Sequence, residues 1–351
     1  MRRSAGCWLL LCLGLVHPLP SSADVTSRAG IAQISGSERL RLFAFGKMLE
    51  TGMAPRAAVL QMKQDMVVQG FYYDAGTSRL IDKNGWLAPV LRYDGNINGG
   101  ALRDSFVFDG QVFDAAPDFR AKAGVVAGLA GGGAVRLAWS NGRYLEARVQ
   151  GDAVWSPDYR IGRTTAELAL CSRNHLTGWT FLDFCHSAAV TSRDLGSTTT
   201  QATDLSLSQL FAAGEGYHEL TADLSQASYD IGQQPALTLS WDAVWDQAST
   251  RLALTVAAPI KGETVLRQRL DVGMNWQWHG RSMGVDLWHQ RADGGTFLSS
   301  PRADTTTGIG LSFDIRPGVT TQIGYLVNRS TVDLFRYDQL SVNIRFDALR
   351  W

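Results

Sequence analysis

The chain has 351 residues, and its 33 Lys and Arg balance 33 Asp and Glu, so the formal charge is zero. That balance excludes the basic bias of a nucleic-acid binder and the acidic bias of a disordered chain. Gly is abundant at 36 residues and Trp reaches 11. A mean hydropathy of −0.08 decides nothing, because strict alternation hides lipid-facing residues from any window average.

Residues 1–23 read as a secretory signal peptide. Arg2 and Arg3 supply the positive region, Trp8 to Val16 the apolar core, and Ser21 and Ala23 the small residues before a cleavage ahead of Asp24. The apolar run is shorter than the ~20 residues that a spanning helix needs, and no later stretch is apolar enough to be one. Cys7 precedes the apolar core, which argues against lipidation. The expectation is an exported protein.

Residues 24–85 read as a helical segment. Residues 37–43 and 55–69 carry the helical signals, with Pro55 suited to a first turn and Gly70 to an end. Val59, Met62, Met66 and Val67 fall on one short apolar stripe. Two short helices do not make an independent domain, so they are expected to dock on the rest of the chain, either on a periplasmic rim or as a plug.

From residue 86 the pattern changes to period two. An opening strand covers residues 87–98, with a polar loop after it at 99–118. Small residues at 123–130 then lead into Gly131, Gly132 and Gly133. Ser140-Asn-Gly-Arg143 is a hairpin turn. Beyond it Leu145, Ala147, Val149, Ala153 and Trp155 alternate with Glu146, Arg148, Gln150 and Asp152. Further strands are expected at 163–171, 180–191, 202–212 and 216–229.

The last third alternates most cleanly. Leu237, Leu239, Trp241, Ala243 and Trp245 oppose Thr238, Ser240, Asp242 and Asp246. Leu340, Val342, Ile344 and Phe346 oppose Ser341, Asn343, Arg345 and Asp347. Period two puts each set on one face of a strand, and segments of about ten residues suit a tilted strand crossing a bilayer. Trp241, Trp245, Trp276 and Trp278 near segment ends suit an interfacial girdle. The fold class is therefore all-β: a transmembrane antiparallel β-barrel with a short N-terminal helical segment, the barrel occupying residues 86–351. Counting segments gives fifteen, and an even number is required. One long strand through the glycines at 131–133 gives fourteen.

Such a barrel belongs in the bacterial outer membrane, where its partners are the outer-membrane lipids, the barrel assembly machinery and an unidentified cargo, with no nucleic acid and no cofactor. The chain end agrees: residues 340–346 alternate up to Phe346, and the chain closes on Trp351. The parity shifts after Phe346, which implies that the signal ends there or contains a bulge. Cys7 and Cys12 leave with the signal peptide. Cys171 and Cys185 remain, and in an oxidising periplasm an antiparallel pair turning near Gly178 would join them as a disulfide.

The polar parity supplies the candidate lumen residues: Glu146, Arg148, Asp152, Asp242, Arg267, Arg269, Asp271, Asp286, Asp314, Arg316 and Arg345. Arg267, Arg269, Arg316 and Arg345 would form a basic ladder favouring acidic cargo, unless neighbouring aspartates cancel it. No catalytic or metal site is expected. Asp286 and His289 have the spacing of an acid–histidine pair but opposite parity, and His186-Ser187 and His218-Glu219 fail in the same way. No nucleophile elbow, zinc helix or phosphate loop occurs.

The helical lead-in, the opening strand with Tyr93-Asp94-Gly95-Asn96-Ile97-Asn98 and the barrel after it resemble the C-terminal barrel domain of the surface lipoprotein assembly modifier family. The likeness covers about residues 86–351. It implies export of lipoproteins to the cell surface, although that family usually carries tetratricopeptide helices before its barrel. Two functions stand as alternatives. The first is transport of protein, polysaccharide or solute across the outer membrane. The second is an occluded structural or surface-interaction barrel that displays loops 99–118 and 292–306.

Overall fold

The computed structural model describes residues 25–52, 54–71 and 77–351. The expected signal peptide, with Cys7 and Cys12, lies outside them. Three helices come first: α1 (Val25–Ala32), α2 (Glu38–Glu50) and α3 (Arg56–Val68). Ser37 caps α2 by accepting from the Leu40 amide, and Glu38 and Lys47 complement the helix dipole at its two ends. Pro55 stands at the N-cap of α3, and Gly70 leaves it with φ +79. The apolar stripe expected on α3 is only partly realised. Val67 is exposed, and the residue buried on this helix is Asp65, which receives Arg41 of α2 at 3.0 Å.

Fourteen strands then build one antiparallel sheet. The first is β1 (Arg79–Asp94), and a separate small hairpin of β2 (Ser105–Phe108) and β3 (Gln111–Asp114) comes after it. The sheet resumes with β4 (Gly124–Ser140), β5 (Arg143–Ser156), β6 (Ile161–Thr177), β7 (Thr180–Arg193), β8 (Gly196–Ala213) and β9 (Gly216–Tyr229). Then come β10 (Gly232–Val244), β11 (Ala248–Ala257), β12 (Val265–Trp278), β13 (Arg281–Phe297), β14 (Ser300–Arg316), β15 (Val319–Ser330) and β16 (Tyr337–Phe346). Each sheet strand pairs with its neighbour in sequence, and β16 pairs back onto β1, so the sheet is a closed barrel. Closure leaves no free sheet edge. Gly131, Gly132 and Gly133 lie inside the single 17-residue β4, as the even count requires. Strands run from 10 to 18 residues, so all but β11 and β16 exceed the expected ten. The barrel also begins at Arg79, earlier than residue 86.

The closing seam is short. β1 and β16 share four register positions, Val90 to Tyr93 against Val342 to Arg345, whereas β13 and β14 share fourteen. After Phe346 the chain slips by one residue. A final pair, β17 (Leu349–Arg350), then rejoins β1 at Trp86 and Leu87, and Gly85 and Trp351 exchange backbone hydrogen bonds. The parity shift after Phe346 is thus a bulge.

The two ends of the barrel differ. Six connections at one end are turns of two or three residues, such as 141–142, 178–179 and 214–215. At the other end the 29-residue connection 95–123 carries the β2–β3 hairpin. In outer-membrane barrels the short turns are periplasmic and the longer loops extracellular. Residues 292–306, expected as a loop, instead form the ends of β13 and β14, joined by Leu298 and Ser299. Both of these hold positive φ, which no glycine signalled in advance.

Cys171 and Cys185 stand opposite each other on β6 and β7 and are joined as a disulfide. The bridge closes a 14-residue separation, which corresponds to ~3 kcal/mol in the chain-entropy limit. The strand ladder already closes this hairpin, so the expected cost of the Cys171→Ser, Cys185→Ser pair is smaller, about 1–2 kcal/mol. Urea titration of the folded barrel with and without reductant measures it.

Candidate functional site

One face of each strand carries the large apolar side chains, and these are exposed: Leu237, Leu239, Leu252, Leu254, Val272, Met274, Ile309, Leu311 and Leu340 among them. The opposite parity is where the helices land, so it is the inner face. Fourteen strands spaced ~4.8 Å and tilted about 40° enclose a ring roughly 28 Å across between backbones. Side chains alone do not fill such a ring.

Outside, aromatic residues mark both ends. At the short-turn end Phe211, His218, Trp241 and Trp245 form one cluster, and the Trp241 indole donates to His218 Nδ1 at 3.2 Å. Trp276 and Trp278 continue the row on β12. At the long-loop end Tyr93, Trp155 and Tyr159 are exposed. Amphipathic rings at two levels flanking an apolar band are the mark of a barrel seated in a bilayer. No helix among the described residues is long and apolar enough to cross a membrane; the chain crosses with strands. The chain is an outer-membrane β-barrel.

The helices enter the short-turn end. Phe43 of α2 meets Trp179 and Tyr217 edge-on at centroid distances of 4.9 and 5.5 Å. Leu40, Phe43 and Ala44 are buried with Ile31 and Ala32 of α1 against Phe181, Leu210, Tyr217 and Val244 of the wall. Burying a side chain such as Phe43 contributes about 1.5–3 kcal/mol. Arg28 of α1 reaches Asp246 in the β10–β11 turn at 2.7 Å, and Ser37 bonds the Glu219 carboxylate.

Beside this apolar contact lies a ring of six charges. Glu38 of α2 pairs with Arg136 of β4 at 3.1 Å, and Arg136 with Glu146 of β5 at 2.6 Å. Glu146 pairs with Arg173 of β6 at 3.5 Å, and Arg173 with Asp183 of β7 at 2.8 Å. Asp183 returns to Arg39 of α2 at 2.7 Å. Three acids and three bases alternate, so each buried charge has a partner on both sides or on the adjoining helix.

The other candidates from the sequence are dispersed along the wall. Asp152 takes Arg92 at 2.8 Å and the Thr165 hydroxyl. Arg148 is exposed, opposite Ala134 and Ala169. Asp271 clasps Arg269 at 2.7 Å, and Arg269 also donates to Gln290 and lies 4.8 Å from the Trp288 ring. Trp288 lies across Gly308, where a Cβ would overlap the indole. Asp242 stands 4.0 Å from Arg251. Asp314 accepts from the Ser282 amide and the Thr320 hydroxyl.

A cavity of about 490 Å³ runs between the α1–α2 connection and the wall from β10 to β16. Ile34, Ser35 and Gly36 border it on the helical side. Asp242, Arg251, Asp286, Asp314 and Arg345 are the charged groups on the wall. His289 faces away from Asp286, opposite Leu270, and bonds Thr307, so the two do not meet.

The basic ladder does not form. Arg267 sits at a register shift in β12 and pairs with Asp293, and Arg269 is neutralised by Asp271. Arg316 falls past a second shift, opposite Val319 at the turn. Only Arg345 of the four lines the cavity.

Sequence reasoning missed Arg136, Arg173, Asp183 and Glu219. Parity relative to Glu146, Cys171 and Cys185 is the signal that finds the first three; Glu219 needed its register with Asp242.

No protein-family model matches the chain, and no curated protein sequence matches it. Among solved structures it is similar to OpdK of Pseudomonas aeruginosa, solved with vanillate. That match has 12% identity and a TM-score of 0.44, over 77% of this chain and 98% of that one. OccAB2 of Acinetobacter baumannii gives 7% identity and a TM-score of 0.42, over 79% and 99%. OccK2 (OpdF) of Pseudomonas aeruginosa, in complex with glucuronate, gives 10% and 0.37, over 79% and 99%. The absence of a matching family model includes the surface lipoprotein assembly modifier family, so the resemblance read from the sequence is not carried further.

Proposed function

We propose that the barrel is a channel for small polar solutes across the outer membrane. The observation that carries this reading is the 490 Å³ cavity beside the helices, whose wall presents Asp242, Asp286 and Asp314 with Arg251 and Arg345. A solute entering it exchanges part of its hydration for these groups, and a lining of both signs lets it bind weakly enough to leave again. Hydroxyl and amide side chains continue the lining, with Ser249, Asn275, Ser312 and Gln322 on the same wall. A crescent of this size admits solutes in single file and not a folded lipoprotein, so surface lipoprotein export is not the reading proposed.

The test is ion selectivity of the refolded barrel in planar bilayers under a salt gradient. Neutralising an acid on the path lowers its preference for cations, and neutralising a base lowers that for anions. Asp286→Asn is expected to shift the reversal potential towards anions and Arg345→Gln towards cations. If both variants conduct with the wild-type reversal potential, the crescent is not the path.

The surface-interaction alternative draws support from the long-loop end. There the 95–123 connection reaches the β7–β8 turn through Asn98 and Leu195, and packs Phe106 against Phe297. It predicts no current from any variant.

A further inference from the structure

We propose that α1 and α2 are a movable plug, latched in the periplasmic mouth, whose release converts the crescent into the full bore. This rests on the channel reading and adds a gate to it. Two helices, each about 10 Å thick, cover the side of the mouth formed by β4 to β11, where their ion pairs and apolar contacts fall. The β12 to β16 side stays open as the cavity.

The contacts have the character of a latch. The apolar part is a single patch: Ile31 and Ala32 of α1 with Leu40, Phe43 and Ala44 of α2, set against Phe181, Leu210, Tyr217 and Val244. Beyond it the hold is ionic, through Arg28–Asp246, Arg39–Asp183, Glu38–Arg136 and the Ser37–Glu219 hydrogen bond. When the helices leave, the four ring charges of the wall keep partners, since Asp183 keeps Arg173 and Arg136 keeps Glu146; Asp246 and Glu219 give up Arg28 and Ser37. Arg28 holds its site imperfectly, since its Nη2 is buried without a hydrogen-bond partner. A wall whose ring charges stay paired among themselves and a plug that is not fully satisfied make a two-state element.

A charge-swap series in the full chain tests the gate. The variants are Arg28→Asp, Asp246→Arg and the pair together, with Arg39→Gln as a second, milder release. Single-channel currents are recorded, and folding is checked by heat-modifiable migration. The wild type is expected to dwell in a small-conductance state. Each single variant should raise the fraction of time in a larger state by about tenfold or more, and the swapped pair should restore the wild-type distribution. Equal conductance and dwell times across wild type and all folded variants would overturn the plug and leave the channel reading standing. No current from any folded variant would overturn both.

Discussion

Replacing Glu146 by alanine is expected to lower the stability of the folded barrel by about 3–5 kcal/mol, because it removes a buried carboxylate from two half-buried guanidinium groups and leaves both short of their counter-charge. Glu146 is 4% exposed and, among the described residues, is the one acid that touches both Arg136 and Arg173. Glu146→Gln keeps the shape and part of the hydrogen bonding but not the charge, and is expected to lose somewhat less. Removing Arg173 as well relieves part of the imbalance, so the double variant should cost less than the two single costs added together. Urea midpoints in lipid, read by heat-modifiable migration, report each value. If Glu146→Ala falls within about 0.5 kcal/mol of wild type, the scatter of surface substitutions, the ring of six charges is not formed.

The second large effect separates the two faces of a single strand. Leu239→Arg is expected to cost about 2–4 kcal/mol, the depth-dependent charge for an arginine on the lipid face near the bilayer midplane. Leu239 is 51% exposed, and in a soluble protein the same substitution at a half-exposed site would usually stay within about ±0.5 kcal/mol. Thr238→Arg, one residue earlier and facing inward beside Thr255, should leave stability nearly unchanged and reduce conductance instead. Equal stability of the two variants would contradict the assignment of faces on β10.

Much of the barrel was legible because its alternation is a direct image of its surroundings: lipid demands one kind of side chain and water the other. Leu237, Leu239 and Trp241 alternate with Thr238, Ser240 and Asp242 for that reason alone, and the even strand count came from closure. The hidden features depended on departures from period two. Arg267 and Arg316 lie at or just beyond register shifts, and a shift of one residue reassigns a side chain to the other face. The Leu298-Ser299 turn lacks the glycine or asparagine that usually announces one. Helix α1 has only eight residues and buries Ala29, Ile31 and Ala32 beside Arg28, too short an apolar face to be announced by a periodic pattern. The ionic ring joins residues 38–39 to four strands and is not readable until those strands are in register.

The seam between β1 and β16 has a consequence for how the barrel comes into being. Every other hairpin can zip up as its two strands emerge, but this junction joins the first barrel strand to the last. Loop-closure entropy is therefore greatest here, and the fewest ladder bonds offset it. The sheet must exist as a curved, open ribbon with two raw edges until the final segment arrives. During that interval the unpaired edge of β1 is the surface most prone to mispairing with another chain. The one-residue slip before Leu349, with the renewed grip of Trp351 on Gly85 beyond it, lengthens the hold of the last segment on that edge. Loss of the final three residues would thus bear first on the yield of closed barrels, and less on their form once closed.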